Sequence, residues 1–185
     1  MTRTLLCALV LLAGCATDHR SPARIAGYIC YPLQPPASFG RTAEFEHVMH
    51  AEYQGRTFEL HALLRMDAGE LIVLGLTPLG TRAFTIRYDG NTVTLDNPNG
   101  PKIPFPPEMI LSDIQEMFWP VLPDTGGWHV RTRQPSGERE FYLAGKLVSD
   151  VRFARASDGQ RVIKLANSKY GYRLVLKLIQ DGQPE

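Results

Sequence analysis

The stretch "RTFELHALLRMDAGELIVLGLTPLGTRAFTIRYDGNTVTLD" (Arg56–Asp96) decides the fold class. Phe58, Leu60, Ala62, Leu64 and Met66 alternate with Thr57, Glu59, His61 and Arg65. That is the period of a strand with one buried and one wet face. "DAG" (67–69) supplies a turn, and "ELIVLGLT" (70–77) is a nearly continuous apolar strand. "TPLG" (77–80) bends the chain again, with Pro78 and Gly80 fixing the turn and Leu79 at its tip. A third strand follows, with Phe84, Ile86 and Tyr88 on one side, and "DGN" (89–91) is a hairpin signal leading to a fourth. The region reads as an antiparallel meander with a leucine at one turn, where polarity would be normal.

The same pattern extends in both directions. In "FEHVMHAEY" (45–53), Phe45, Met49, Ala51 and Tyr53 share a face, while Glu46, His50 and Glu52 line the other. Downstream, Pro106 and Pro107 suit the start of a helix. Ile110, Ile114, Met117 and Phe118 then recur as a helical stripe that Pro120 ends. Asp113 and Glu116 are expected on that helix's wet side. "WHVRTR", "REFYLAG", "KLVSDVRFAR", "QRVIKLA" and "YGYRLVLKLI" return to strands. About ten antiparallel strands and one helix predict a mainly β protein: a single curved sheet or incomplete barrel, with one or more helices covering its concave face.

The beginning of the chain has another character. Arg3 precedes "LLCALVLLAG" (5–14), an apolar run shorter than the roughly 20 residues a membrane-spanning helix needs. It reads as the apolar region of a secretory signal. Its end, "LAGC" (12–15), resembles a bacterial lipobox, which implies cleavage before Cys15 and lipidation of that cysteine. One acyl chain anchors only marginally and several anchor durably. Ala16 follows where an inner-membrane retention signal would have Asp, so the expected location is the periplasmic face of the outer membrane. The expected organisation is a signal peptide over 1–14, a lipidated tether over 15–40 and one domain over 41–185. Cys30 is then the last free thiol of three cysteines and reads as a buried structural residue.

Composition narrows the function classes. The 185 residues are 44% apolar and 21% charged with a net charge of +1, giving no electrostatic case for nucleic acid. No G-x-S-x-G, H-E-x-x-H, phosphate-loop or C-x-x-C pattern occurs. His47 and His50 lie three apart on a strand and point to opposite faces. No catalytic residue, metal or cofactor is expected.

Two segments together carry a family likeness. "ELIVLGLTPLGTRAFTIRYDGNTVTLDNPNG" and "PPEMILSDIQEMFWPV" place an apolar strand, "TPLG", a strand, a "DG" turn and a helix ending near "WP" in one order. That order resembles the outer-membrane lipoprotein receptors of the LolB type, with a particular likeness to a lipoprotein family associated with aryl-polyene gene clusters. The resemblance implies a half-barrel of about eleven strands around a hydrophobic cavity for lipid or lipidated cargo delivered by a LolA-like periplasmic carrier. It also implies that Leu79 is a membrane-contacting finger within Pro78–Gly80. From the alternation and the helix stripe, Leu60, Leu64, Phe84, Ile86, Ile114, Met117 and Phe118 are the cavity candidates. A monomer is expected. The alternative is a non-catalytic assembly lipoprotein whose interior is packed solid.

Overall fold

A computed structural model describes residues 24–25, 27–97 and 103–182. The signal segment, Cys15 and the tether as far as residue 23 lie outside the described residues. Two short strands, β1 (Arg24–Ile25) and β2 (Tyr28–Ile29), pair as a ribbon beside the main sheet. The chain then runs through a 3-10 turn at Pro36–Phe39, where Gly40 adopts φ 83°.

Two meanders follow, joined by one α-helix. The first contains β3 (Ala43–Tyr53), β4 (Arg56–Met66), β5 (Leu71–Leu76), β6 (Arg82–Tyr88) and β7 (Val93–Asp96). Helix α1 (Pro107–Phe118) leads to the second: β8 (Trp128–Thr132), β9 (Arg139–Leu143), β10 (Lys146–Arg155), β11 (Arg161–Asn167) and β12 (Tyr172–Gly182). The order across the sheet is β7-β6-β5-β4-β3-β12-β11-β10-β9-β8, with every pairing antiparallel. The main sheet thus holds ten strands, close to the expected number. The first and last long strands, β3 and β12, meet in its middle. Strands β7 and β8 are its two edges, so the sheet stays open and does not close into a barrel.

This topology explains the helix. The chain leaves one edge of the sheet at β7 and must reach the other at β8, and α1 makes that crossing over the concave face. Pro107 occupies the first turn of α1, where its missing N–H is harmless. Register shifts at Gly75/Leu76, Leu147/Ser149 and Leu178/Gln180 bend the strands around the helix.

The alternation of β4 holds in the register. Leu64 pairs with Phe45 and Val73, and Met66 with Ala43 and Leu71, all on the concave face. Tyr31, Met66, Leu71, Ile86, Met109, Leu111, Trp119, Phe141 and Leu165 are among the deeply buried side chains of the core.

One expectation is overturned. Asp113 and Glu116 do not sit on a wet face; they are only 6% and 3% exposed. They face the second meander of the sheet, where Asp113 meets Tyr172 of β12 and Glu116 meets Ser149 of β10. The segment from Cys30 to Gly40 straps a further side of α1. The Gln34 N–H donates to Gln115 Oε1 at 2.7 Å, and Gln115 Nε2 donates back to the Gln34 carbonyl at 2.8 Å. Trp119 Nε1 donates to Ser38 Oγ at 2.8 Å, and its ring lies 5.1 Å from that of Phe39. The helix is therefore covered on both sides. Cys30, in the same strap, is buried, and burial first, then the nearby acidic side chains, push its thiol up to about 12. Such a thiol is inert at neutral pH.

Candidate functional site

Between α1 and the middle of the sheet lies a cavity of about 250 Å³. Its floor is Met49 and Ala51 of β3, Leu60, Ala62 and Leu64 of β4, Val73 and Gly75 of β5, Phe84 of β6, and Leu174 and Leu176 of β12. Ile110, Ile114 and Met117 of α1 form its roof, and Ile103, Pro104 and Phe105 close one side. Phe105 is held there by rings: Tyr53 and Tyr172 at 4.8 Å and Tyr28 at 6.0 Å. An apolar cavity of roughly 150 Å³ already accepts a benzene-sized guest. This one is larger and lined by the same kind of side chain, so the interior is not solid here.

Gly75 sets the depth of the floor. A Cβ at that position would stand 2.5 Å from Phe84 Cε1 and 2.6 Å from Cζ. The Phe84 ring therefore lies down over the glycine, across the strand pair Gly75↔Phe84, and leaves the space above it open.

The cavity reaches outward between Phe58, Glu52, Glu59 and Thr77. These residues belong to one end of the sheet, where the β3–β4 and β5–β6 hairpins turn. Thr77 opens the second turn. The Gly80 N–H donates to its carbonyl at 2.9 Å, and the Thr77 N–H donates to the Thr81 carbonyl at 2.8 Å. Gly80 takes φ +77°, which suits glycine and turns the chain back into β6. Leu79 is left at the apex, 93% exposed.

One cavity wall is polar. Asp113 and Tyr172 both line it, and the Tyr172 hydroxyl lies 2.8 Å from each Asp113 carboxyl oxygen. Asn167 Nδ2 donates to Tyr172 Oη at 3.1 Å, its orientation fixed because its Oδ1 accepts the Tyr170 N–H at 3.0 Å. One turn along α1, Glu116 accepts the Ser149 hydroxyl at 2.6 Å and the Ser112 hydroxyl at 3.4 Å. Burial, and next the nearby Glu116, hold the Asp113 carboxyl well above the usual carboxylate range. Burial pushes Glu116 up to about 7 against the opposing pull of the two serines. Among the described residues, no group of His, Cys, Asp and Glu could hold a metal ion.

Of the residues singled out from sequence, Leu60, Leu64, Phe84, Ile114 and Met117 come together in the lining. Ile86 and Phe118 do not. Ile86 is fully buried in the packed part of the core. Phe118 packs 5.1 Å from the Phe45 ring and 5.2 Å from that of His47. Sequence reasoning missed the β12 contribution, Leu174 and Leu176, because pairing of β12 with β3 spans most of the chain. It missed Asp113 because the partner that buries it, Tyr172, lies 59 residues away and no local pattern shows that pairing.

A family profile matches residues 44–180, from inside β3 to inside β12. The chain belongs to the family described as "Protein of unknown function (DUF3261)". That match begins after the strap. No curated protein matches this DUF3261 member. Among solved structures, it is similar to a domain named for outer membrane lipoprotein sorting from Vibrio parahaemolyticus. The identity is 12% and the TM-score 0.43, over 77% of this chain and 85% of that one. A DUF1329 family protein from Desulfovibrio piger ATCC 29098 shares 13% identity at a TM-score of 0.34, over 78% of this chain and 92% of that one. At such values neither likeness carries a function to this DUF3261 protein. No helix among its described residues is long and apolar enough to cross a membrane.

Proposed function

We propose that this protein is a non-catalytic lipoprotein, anchored through Cys15 to the periplasmic face of the outer membrane. In that role it holds a lipid-like or lipidated hydrophobic cargo and passes it to or from that membrane. The observation that carries this reading is the position of one turn. Thr77 lines an apolar cavity of about 250 Å³, and Leu79, two residues on, projects from the same rim at 93% exposure. Pro78 and Gly80 fix that projection, so the leucine cannot fold back without breaking the turn. A leucine side chain entering an apolar phase gains about 1.5–3 kcal/mol, enough to orient a tethered domain and too little to anchor it. The lipid supplies attachment, and the finger turns the cavity mouth toward the bilayer. Transfer then needs no chemistry, only exchange between two apolar environments. A LolA-like carrier is the proposed donor or acceptor on the periplasmic side, and a polyene-bearing lipid is one cargo of suitable shape.

The test is Leu79→Glu. An exposed tip substitution should change stability by no more than about 0.5 kcal/mol. Transfer of bound lipid to phospholipid vesicles should nevertheless fall to background, with bound lipid still found by mass spectrometry of the purified protein. Undiminished transfer by this variant would reduce Leu79 to a turn residue. A purified protein carrying no lipid would remove the cargo reading itself.

A further inference from the structure

The turns at the two ends of the main sheet are built differently. At one end lie the β4–β5, β6–β7, β8–β9 and β10–β11 turns. Three of these are stabilised by an aspartate. Asp67 Oδ1 accepts the N–H groups of Gly69 and Glu70, Asp89 Oδ1 those of Asn91 and Thr92, and Asp158 Oδ1 that of Gln160. That end is of mixed charge, with Arg65 near Asp67 and Arg87 near Glu70. At the other end, the β3–β4, β5–β6, β9–β10 and β11–β12 turns rely on glycine instead. Gly55, Gly80, Gly145 and Gly171 take φ of 71°, 77°, 75° and 67°. No Asp or Glu occurs in the segments 53–57, 77–82, 143–147 and 168–173 that form them. They carry Arg56, Arg82, Lys146, Lys169 and Arg173, all exposed, and Leu79 projects from the same end.

The carboxylates nearest these turns lie outside them and are already engaged. Asp96 meets Arg82 at 3.1 Å, and Glu59 meets His50 at 3.3 Å. Glu52 stands opposite Arg173 in the β3–β12 register. Asp124, ahead of β8, accepts the Val130 N–H and lies 2.7 Å from His129. Glu108 sits in the first turn of α1, against the positive end of the helix dipole. Among the described residues, no carboxylate comes within ion-pair distance of Arg56, Lys146 or Lys169. Lys169 holds its ammonium 5.8 Å above the Tyr170 ring. Three unmatched cations and a bare leucine thus share one end of the sheet. That combination complements a surface that is anionic outside and apolar just beneath, which is how an acidic phospholipid leaflet is built.

We infer that this end of the sheet docks on membranes and selects anionic phospholipid, with Arg56, Lys146 and Lys169 meeting headgroup phosphates while Leu79 enters the acyl layer. This deepens the proposed function and rests on its finger, since it names the lipid class that the finger meets. The cations come from turns on both sides of the β3–β12 centre, so a broad surface is needed to meet them together. An acidic protein would also need a pocket shaped for Leu79, whereas a leaflet receives it anywhere.

The reporter is Leu79→Trp, which keeps the tip apolar. Trp119 and Trp128 are buried, so the added indole alone senses the surface. The full-length protein meets vesicles with brominated acyl chains, made of phosphatidylcholine alone or with phosphatidylglycerol added. Strong quenching is expected with phosphatidylglycerol at low salt, fading as salt is raised, and weak quenching on phosphatidylcholine alone. Each of Arg56→Gln, Lys146→Gln and Lys169→Gln should lower the docked-to-free ratio about fivefold, and all three together about a hundredfold. A melting curve like the parent's shows that each variant is folded. Equal quenching on both lipids, or full quenching in the triple variant, overturns the anionic selectivity. The finger then stands, and an acidic protein becomes the occupant of the cationic turns. No quenching on either lipid overturns the finger as well.

Discussion

Strand β4 passes through two different interiors. Leu60 faces a cavity, whereas Met66, six residues further on the same face, is fully buried against Leu71 and Ala43. Both positions obey one alternation, and no local feature of the strand separates them. The difference lies in what covers them. At the C-terminal end of α1 the strap wraps the helix: Trp119 packs against the tilted ring of Phe39, and Gln115 is locked to Gln34. Tyr31 meets Phe141 at 5.6 Å and Trp128 at 5.9 Å. The face of α1 that carries Ile110, Ile114 and Met117 instead borders empty space, closed at the side by Phe105. A sheet and a helix of uniform apolar character thus yield one half that holds the fold and one half available to a guest.

The sharpest way to break this comparison is to remove a side chain from the packed half. Trp119 is fully buried, with its ring against Phe39 and its indole N–H bonded to Ser38 Oγ. Trp119→Ala should cost about 3–5 kcal/mol, the usual range for emptying a large aromatic site. Denaturant unfolding measures it. A loss below about 1 kcal/mol would mean that the strap does not clamp the helix and that the two halves are equally loose.

The next effect is a pH dependence located between the halves. Glu116 titrates near 7 in the folded protein, above the usual glutamate value of 4.5, and Asp113 is raised as well. A carboxyl raised by folding binds its proton more tightly in the native state. Its contribution is full below the unfolded value and is lost as pH rises through about 7. The midpoint of thermal unfolding should therefore fall by about 5 °C between pH 5 and pH 8. Glu116→Gln, which keeps an acceptor for Ser149 and Ser112, should remove most of that slope. An unchanged slope in the variant would assign the effect to other groups.

How much of this was legible in the residues follows the same division. The period-two pattern of Phe58 to Met66, the stripe of Ile110, Ile114 and Met117, and the turn at Thr77–Gly80 are local signals, and each corresponds to an element in the structure. The chemistry of the polar wall was not legible. Asp113 and Glu116 look like solvated positions because a helix with one apolar stripe normally has one wet face. Here the second meander covers that face through Tyr172 and Ser149, which lie 59 and 33 residues from Asp113 and Glu116. A proline-rich strap without periodicity covers more of the helix, through residues 81 apart in sequence. The boundary between packed and open core was equally hidden. Ile86 and Phe84 alternate on one strand face, yet the first is sealed and the second lines the cavity.

The smallest expected effect sharpens the open half alone. Gly75 has no side chain, so the Phe84 ring rests where a Cβ would be 2.5 Å from Cε1. In Gly75→Ala the ring must move, and the only yielding direction is upward into the cavity. Overpacking a closed core costs about 1–3 kcal/mol; here the displaced group is the far end of a side chain beside empty space, so about 1 kcal/mol is expected. The cavity, however, loses the volume the ring enters. Binding of N-phenyl-1-naphthylamine should weaken severalfold while the unfolding midpoint barely moves. Adding Phe84→Leu to Gly75→Ala should restore binding, because the shorter side chain clears the new methyl group. Trp119→Ala would do the reverse, lowering stability with little change in the cavity lining. If Gly75→Ala instead destabilises as strongly as Trp119→Ala, the space above Phe84 is not free, and the division of the concave face into a packed and an open half fails.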